Sequence, residues 1–307
     1  MTRPLVFALP GNEAGASALR ERLPGDLGSL EVRRFPDDET YLRVVSDVDG
    51  RRTILVCTLR SPDDKFLPLV YAASTLRDLG AAEVGLVAPY LAYMRQDRRF
   101  KEGEAVTSET FARALSPWID WLVTVDPHLH RHASLSEIYS VPARVVHAAP
   151  LIADWITHNV ANPVLVGPDS ESEQWVAEVA AGAGAPFVVL EKTRHGDRDV
   201  TVTLPDVHAW RGHTPVLVDD IISTAGTMIE TIGHLRALGL ATPVCVGVHG
   251  VFAADAYEAL SDAGASEIVT ANTIDGPASR IDVYGAIAEC LRDSFSADGP
   301  GETRAGI

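Results

Sequence analysis

Short, continuous apolar segments recur along the chain, and helix-like segments lie between many of them. Strands that are apolar along their whole length belong to parallel sheets covered by helices on both faces. The sequence therefore predicts an α/β fold with mainly parallel sheets flanked by helices. The predicted strands are residues 4–10, 52–59, 83–91, 121–128, 162–169, 185–192, 214–222, 242–250 and 266–274.

The intervening segments predict helices, and several of them end at glycine. Gly80, Gly184 and Gly239 stand where a left-handed residue would close a helix. The strand–helix pattern also divides into two similar halves. We expect domains at 1–146 and 147–282, a C-terminal helix at 283–293, and a disordered polar tail at 294–307. The predicted helices are residues 66–80, 108–120, 151–163, 172–184 and 228–239.

The charge balance limits the partners of the chain. Its net charge is −16, from 26 basic and 42 acidic residues. Such a charge argues against broad nucleic-acid or anionic-membrane surfaces and favours a cytoplasmic protein. The apolar run at the N-terminus is too short for a signal peptide. Cys57, Cys245 and Cys290 fit neither a zinc spacing nor a disulfide framework, so we expect reduced thiols in the core.

The stretch VLVDDIISTAGT, residues 216–227, ends an apolar strand in two carboxylates, Asp219 and Asp220. Ligands of doubly wound sheets bind beyond the carboxyl ends of strands. The hydroxyls and backbone N–H groups of residues 223–227 would form a phosphate cradle at a helix N-terminus. Carboxylates repel phosphate but accept hydrogen bonds from sugar hydroxyls or hold a divalent cation. A ribose-phosphate site explains both parts; the alternative is an acidic turn followed by an ordinary helix cap.

This stretch resembles the phosphoribosyl-pyrophosphate (PRPP) loop of type I phosphoribosyltransferases and PRPP synthetases. The resemblance implies two type I phosphoribosyltransferase-like domains, with the C-terminal helix returning to the first. The I-S-T form of the loop is similar to archaeal-type members, so the allostery and hexamer of the common bacterial class are not assumed. The residues implied to bind ribose 5-phosphate are Asp219, Asp220, Ser223, Thr224, Ala225, Gly226 and Thr227.

Two segments of the first half resemble the ATP-binding parts of PRPP synthetases. PYLAYMRQDRR, residues 89–99, implies ATP contacts by Arg95, Gln96 and Asp97, although composition alone favours a solvated basic loop. FPDDE, residues 35–39, resembles the F-S-D-G-E hairpin that reaches an adenine held by a neighbouring subunit. Asp38 stands at the position of the motif's glycine, and a residue with a side chain there could change the conformation of the turn. The hairpin residues that match the motif and are implied to bind ATP are Phe35, Asp37 and Glu39.

Three further segments resemble the parts of the family that handle metal and phosphate. V-D-x-H assigns His128 to the Mg-ATP site, whereas His130 and His132 are interpreted as surface residues. The turn at 167–172 resembles S-P-D-x-G-G, and only Asp169 is carried over as a metal ligand. K-T-R implies catalytic roles for Lys192 and Arg194, which we expect in a polar loop beyond a strand.

The resemblance covers roughly residues 5–290 and implies a ribose-phosphate diphosphokinase that uses Mg²⁺. ATP and ribose 5-phosphate would be its substrates, and the hairpin implies a homo-oligomer of at least two chains. Two alternatives remain open. One is a phosphoribosyltransferase that consumes PRPP, which leaves the R-Q-D-R, V-D-x-H and K-T-R segments without a purpose. The other is a non-catalytic regulatory partner of a PRPP synthetase.

Overall fold

The computed structural model describes residues 3–129, 131–168, 172–194, 200–203 and 207–297. The chain divides into two compact units. The first comprises Met1–Val146 together with Tyr284–Ile307, and the second is His147–Val283. The polypeptide therefore leaves the first unit once and returns to it for its last helix.

The first unit is built on a six-stranded parallel sheet with the strand order β2-β1-β5-β6-β7-β8. An antiparallel hairpin, β3–β4, follows β2 in the chain. Its strands are β1 (Leu5–Ala8), β2 (Asp26–Leu27), β3 (Leu30–Arg34), β4 (Thr40–Val44), β5 (Arg52–Val56), β6 (Glu83–Ala88), β7 (Trp121–Val125) and β8 (Ala143–Val146). Its helices are α1 (Glu13–Arg22), α2 (Pro62–Asp78), α3 (Thr107–Leu115) and α8 (Tyr284–Ala297).

The second unit repeats this plan, with a six-stranded parallel sheet ordered β10-β9-β13-β14-β15-β16. An antiparallel hairpin, β11–β12, follows β10 in the chain. Its strands are β9 (Pro163–Gly167), β10 (Phe187–Val189), β11 (Glu191–Arg194), β12 (Val200–Thr203), β13 (Thr214–Ile222), β14 (Val244–Gly250), β15 (Glu267–Ala271) and β16 (Ser279–Ile281). Its helices are α4 (Ala149–Asn159), α5 (Glu173–Ala183), α6 (Gly226–Ala237) and α7 (Ala256–Asp262).

The predicted fold class, mainly parallel sheets flanked by helices, is confirmed. Each sheet places a buried apolar strand at its centre, such as Ile54–Val56 of β5 in the first unit and Val216–Val218 of β13 in the second. The structure also contains elements that the pattern did not predict, among them α1, β8 and α7. The predicted helix at 108–120 is shorter: α3 ends at Leu115, and a 3-10 turn at Ser116–Trp118 follows because Pro117 cannot continue an α-helix.

The thiols are free, as predicted, although they are not all in the core. Cys57 and Cys245 are fully buried, and burial raises the pKa of each thiol to about 12. Cys290 is only half-buried. The two core thiols therefore stay protonated near neutral pH and act as small apolar side chains. No helix in the described parts of the chain is both long and apolar enough to cross a membrane.

The last helix, α8, packs against α1 of the first unit. Gly15 of α1 faces the ring of Tyr284, and a Cβ built on Gly15 would overlap that ring. Arg292 Nη1 donates a hydrogen bond to the Arg22 carbonyl at 2.9 Å. The helix runs to Ala297, past Asp293, after which the sequence predicts a disordered tail; residues 298–307 lie outside the described residues.

Gly15→Ala should loosen the packing of α8 against α1, because Tyr284 is buried and has no room for an added methyl group. We expect the free energy of unfolding in urea to fall by about 1 kcal/mol or more. Gly233→Ala in α6 is the matched control, since a Cβ there meets nothing within 4 Å. That change should be neutral or stabilising through helix propensity. Equal effects of the two substitutions would contradict the proposed close contact.

Candidate active site

Two adjacent carboxylates lie at the carboxyl end of β13, which is hydrogen-bonded to β9 on one side and β14 on the other. Asp219 and Asp220 are half-buried, directly after the fully buried Val216–Val218. Asp219 Oδ1 accepts a hydrogen bond from the Asp220 backbone N–H at 2.9 Å. The apolar run fixes the strand in the core, so both carboxylates are held at the edge where ligands of such sheets bind.

The loop after these carboxylates turns sharply into α6. Ala225 adopts a left-handed conformation with φ of 59°, and α6 begins at Gly226. The Ile229 N–H donates the first intrahelical bond to the Ala225 carbonyl at 2.9 Å. The N–H groups of residues 226–228 therefore have no acceptor within the helix. A Cβ on Gly226 would meet only Thr224 Oγ1, at 3.8 Å, so an anion can approach the backbone closely.

A second loop supports this one, and sequence reasoning did not identify it. The N–H groups of Phe252 and Ala253, which follow β14, donate to the carbonyls of Ile222 and Ser223, each at 3.0 Å. Phe252 and Ala254 have positive φ values of 36° and 49°. Strained residues of this kind persist where the surrounding structure holds them, often at functional sites. Their conformations leave no signal in the sequence.

A buried histidine lies on β14, beside the strand that carries the acidic pair. His249 is 1% exposed and stands opposite Ile221 in the β13–β14 register. Thr273 Oγ1 donates its proton to the Val248 carbonyl at 3.1 Å, and His249 Nδ1 lies 2.8 Å from Thr273 Oγ1. In this arrangement His249 Nδ1 is the donor and Thr273 Oγ1 the acceptor of their hydrogen bond.

The basic loop after β6 is firmly held to the start of α3. Arg95, Arg98 and Arg99 are exposed, whereas Gln96 is half-buried. Thr107 Oγ1 donates to Gln96 Oε1 at 3.1 Å, and the Ser108 N–H donates to the Gln96 carbonyl at 3.3 Å. The loop therefore presents its arginines from a fixed backbone, as a polyphosphate site requires.

A tyrosine just before this loop is tied to α2. The Tyr93 hydroxyl donates to Asp63 Oδ1, and this hydrogen bond is the main reason that the pKa of Tyr93 rises to about 12. Tyr93 has a φ of 63°. The phenol thus stays a neutral donor at physiological pH and anchors a strained turn beside Arg95.

The predicted V-D-x-H segment follows β7. Asp126 has a φ of 29°, and both Asp126 and His128 are half-buried at the carboxyl end of that strand. The interpretation of His132 as a surface residue is wrong, because its side chain is only 13% exposed and Nδ1 lies 3.1 Å from Glu137 Oε2. His130 lies outside the described residues.

The predicted hairpin is formed by β3 and β4, with an exposed tip. Arg33 covers Phe35 and Tyr41, with its Cζ 4.8 and 4.0 Å from the two ring centroids. Asp38 adopts a φ of 67°, a left-handed conformation that glycine reaches more easily. Asp37 and Glu39 are also exposed at this tip.

The K-T-R segment and the turn at 167–172, both in the second half of the chain, were also predicted to carry site residues. Lys192 and Arg194 do not lie in a loop: they belong to β11, with Val202 and Val200 of β12 as their Cα partners. The β-branched run of β12 supplies the pairing that turns the polar segment into a strand. Asp169, Ser170 and Glu171 lie outside the described residues.

The candidate residues are thus divided between the units. The hairpin, the basic loop and His128 belong to the first unit. The acidic pair, the loop at 223–227 and the β11–β12 hairpin belong to the second.

Comparisons with known proteins identify the family of the chain. A family model described as the N-terminal domain of ribose phosphate pyrophosphokinase matches residues 5–117, and one described as a phosphoribosyl transferase domain matches residues 134–294. The chain is 33% identical to a ribose-phosphate pyrophosphokinase from Methanothermobacter thermautotrophicus over 290 residues, covering 94% of this chain and 100% of that protein. It is 34% identical to one from Methanopyrus kandleri, covering 90% and 94% of the two chains.

A solved structure shows the same fold. The phosphoribosylpyrophosphate synthetase from Mycobacterium smegmatis superimposes with a TM-score of 0.84, at 23% sequence identity. The match covers 96% of this chain and 100% of the other. The fold is therefore shared over nearly all of this chain and all of the other.

Proposed function

The chain belongs to the ribose-phosphate pyrophosphokinase family, the PRPP synthetases, and from this premise we propose how its own residues share the reaction. It is a ribose-phosphate diphosphokinase. The anomeric hydroxyl of ribose 5-phosphate attacks the β-phosphorus of ATP, which gives PRPP and AMP. Such a transfer depends on in-line positioning and on neutralising charge at the phosphates.

The ribose 5-phosphate site is assigned to the end of β13 and the start of α6. Asp219 and Asp220 accept hydrogen bonds from the ribose hydroxyls. The loop from Ser223 to Thr227 binds the 5-phosphate with hydroxyls and with N–H groups that have no acceptor within α6. This combination, two half-buried carboxylates near the end of β13 followed, five residues after Asp220, by the left-handed Ala225 and an open Gly226, is the observation that carries the proposal.

The ATP site is assigned to the first unit. Arg95 and Gln96 contact the nucleotide from the loop that Thr107 and Ser108 hold in place. Phe35, Asp37 and Glu39 stand at the exposed tip of a hairpin, so they are available to a nucleotide bound by a second copy of the chain. The active assembly is then a homo-oligomer of at least two chains.

Magnesium is expected to enter with ATP. No cluster of three or more His, Cys, Asp and Glu side chains suited to a metal occurs in the described ranges. Mg²⁺ commonly takes only one or two carboxylates and completes its shell with phosphate oxygens and water, so a sparse donor set fits it. On the first unit His128 would hold it, with the Asp126 carboxylate at the end of the same strand. On the second, the family resemblance implies Asp169, which lies outside the described residues. When bound, it neutralises charge on the ATP phosphates.

Lys192 and Arg194 are assigned to the transferred diphosphoryl group. Two cations two positions apart in a strand can neutralise charge that develops on the phosphoryl oxygens in the transition state. Neither the ribose loop nor the nucleotide loop supplies this function in the proposal. In the proposal, the β11–β12 hairpin therefore provides the groups that an enzyme needs and that a protein which only binds both substrates would lack.

The first test is to incubate the purified protein with Mg-ATP and ribose 5-phosphate and to measure AMP and PRPP. We expect equal amounts of both products, formed only when ribose 5-phosphate is present. ADP in place of AMP would show that the transfer chemistry is wrong. Binding of both ligands without turnover would instead favour the regulatory partner, and PRPP consumption with a free base would favour a phosphoribosyltransferase.

A further inference from the structure

An acidic side chain in the middle of the basic loop is turned away from solvent. Asp97 is flanked in sequence by Gln96 and Arg98, yet its side chain is only 1% exposed. Arg131 Nη1 lies 3.0 Å from both Oδ1 and Oδ2 of this carboxylate. A buried carboxylate whose two oxygens share one guanidinium donor is already engaged by the protein itself.

The partner comes from a different part of the first unit. Arg131 belongs to the segment after β7, three residues beyond His128, and it is 34 residues from Asp97 in sequence. The ion pair therefore joins the two segments to which ATP binding is assigned. Phe100 adds a second contact, because the Cζ atoms of Arg98 and Arg131 lie 4.7 and 5.6 Å from its ring centroid.

We propose that Asp97 is a positioning residue, which acts through Arg131 to hold the basic loop and the His128 segment in one arrangement, and that it does not contact ATP. This inference rests on the proposed ATP site. It assigns Asp97 a different role from the nucleotide contact that the R-Q-D-R motif implies. It also assigns a function to Arg131, a residue that no motif singled out.

The burial of Asp97 gives the proposal a distinctive consequence. Arg131→Gln leaves a buried carboxylate without its cation, which distorts both segments. Asp97→Asn then removes the uncompensated charge. The second substitution should therefore improve the first. If Asp97 instead contacted ATP or its metal ion, losing it as well would make binding worse.

The experiment is a titration of each variant with Mg-ATP in the absence of ribose 5-phosphate. Arg131→Gln should raise the Kd for Mg-ATP about tenfold or more. The double variant Asp97→Asn/Arg131→Gln should bind about threefold or more tighter than Arg131→Gln alone. Binding by the double variant that is equal to or weaker than that of Arg131→Gln would overturn the proposal.

A surface ion pair supplies the matched control. Arg113 and Glu109 on α3 form an i,i+4 pair at 3.5 Å with side chains 66% and 47% exposed. Arg113→Gln should leave the Kd for Mg-ATP unchanged, because exposed pairs of this kind contribute little. A loss of affinity as large as that of Arg131→Gln would show that any lost arginine weakens binding, and it would refute the specific role of the pair.

Two further readouts keep the test decisive. In turnover assays Arg131→Gln should raise the KM for Mg-ATP and leave the KM for ribose 5-phosphate within about twofold, since the latter site lies in the other unit.

If Arg131→Gln does not fold, Asp97→Asn and Asp97→Ala are compared. Asparagine still accepts a hydrogen bond from Arg131 and should retain most ATP affinity, whereas equal losses would contradict the proposal. Failure of the wild-type protein to make PRPP would refute the proposed function, and Mg-ATP titration would still test the pair.

Discussion

Lys192→Ala should lower kcat by about a hundredfold or more, because a cation positioned at developing charge acts mainly in the transition state. The KM values for both substrates should change much less, since the ground-state contacts are assigned to other residues. The measurement is steady-state AMP formation at saturating Mg-ATP and ribose 5-phosphate. Circular dichroism and thermal unfolding should match those of the wild-type protein.

The neighbouring Thr193, also on β11, provides the control for Lys192. Thr193→Ala makes a comparable truncation on the same strand without removing a charge, so its kcat should stay within a few-fold of the wild-type value. Near-wild-type turnover by Lys192→Ala would contradict the catalytic role assigned to Lys192. Equal losses in the two variants would mean that the hairpin acts through its fold, and not through the ammonium group.

The double substitution Asp219→Asn/Asp220→Asn should have the second large effect, on the use of ribose 5-phosphate. A hydrogen bond to a charged group contributes about 1.5–3 kcal/mol. Losing one such bond at each carboxylate should lower kcat/KM for ribose 5-phosphate about 10²- to 10⁴-fold. The fold should survive, because an asparagine at 219 can still accept the backbone N–H of residue 220.

The double substitution should weaken the use of ribose 5-phosphate without weakening the binding of ATP. The Kd for Mg-ATP, titrated without ribose 5-phosphate, should remain within about twofold of the wild-type value. Asp262→Asn, at the exposed last residue of α7, removes a carboxylate of the same unit and should change neither constant. A variant lacking both carboxylates that still used ribose 5-phosphate normally would exclude the assigned sugar site.

The strands were the most predictable elements of the fold. The run from Thr214 to Ile222 was predicted with the bounds that β13 has, because the apolar residues 216–218 and 221–222 on either side of the acidic pair suit a central parallel strand. The helix α1 was missed because its buried face is made of small residues, Gly15 and Ala16, with Leu19. Such a face can be recognised as buried only once its tertiary partner is known, and that partner, α8, is about 270 residues away in sequence.

The candidate site was predictable where a motif is local and unpredictable where it depends on a distant partner. The loop from Asp219 to Thr227 could be identified from its composition, since strand, carboxylates, hydroxyls and glycine are consecutive. Asp97 could not, because only the contact with Arg131 shows which way its carboxylate turns. The same holds for Phe252 and Ala253, whose backbone N–H groups bind the carbonyls of Ile222 and Ser223 whatever their side chains are.

The docking of α8 on α1 has a consequence for how the protein is made. The ribosome synthesises the whole of His147–Val283 before it adds α8. In that helix Tyr284 packs against Gly15, and Arg292 donates a hydrogen bond to the Arg22 carbonyl. The second unit is continuous in sequence and has all of its strands by then, whereas the first still lacks an element. Domains fold as units during synthesis. The half of the protein that emerges first is therefore the half that is completed last.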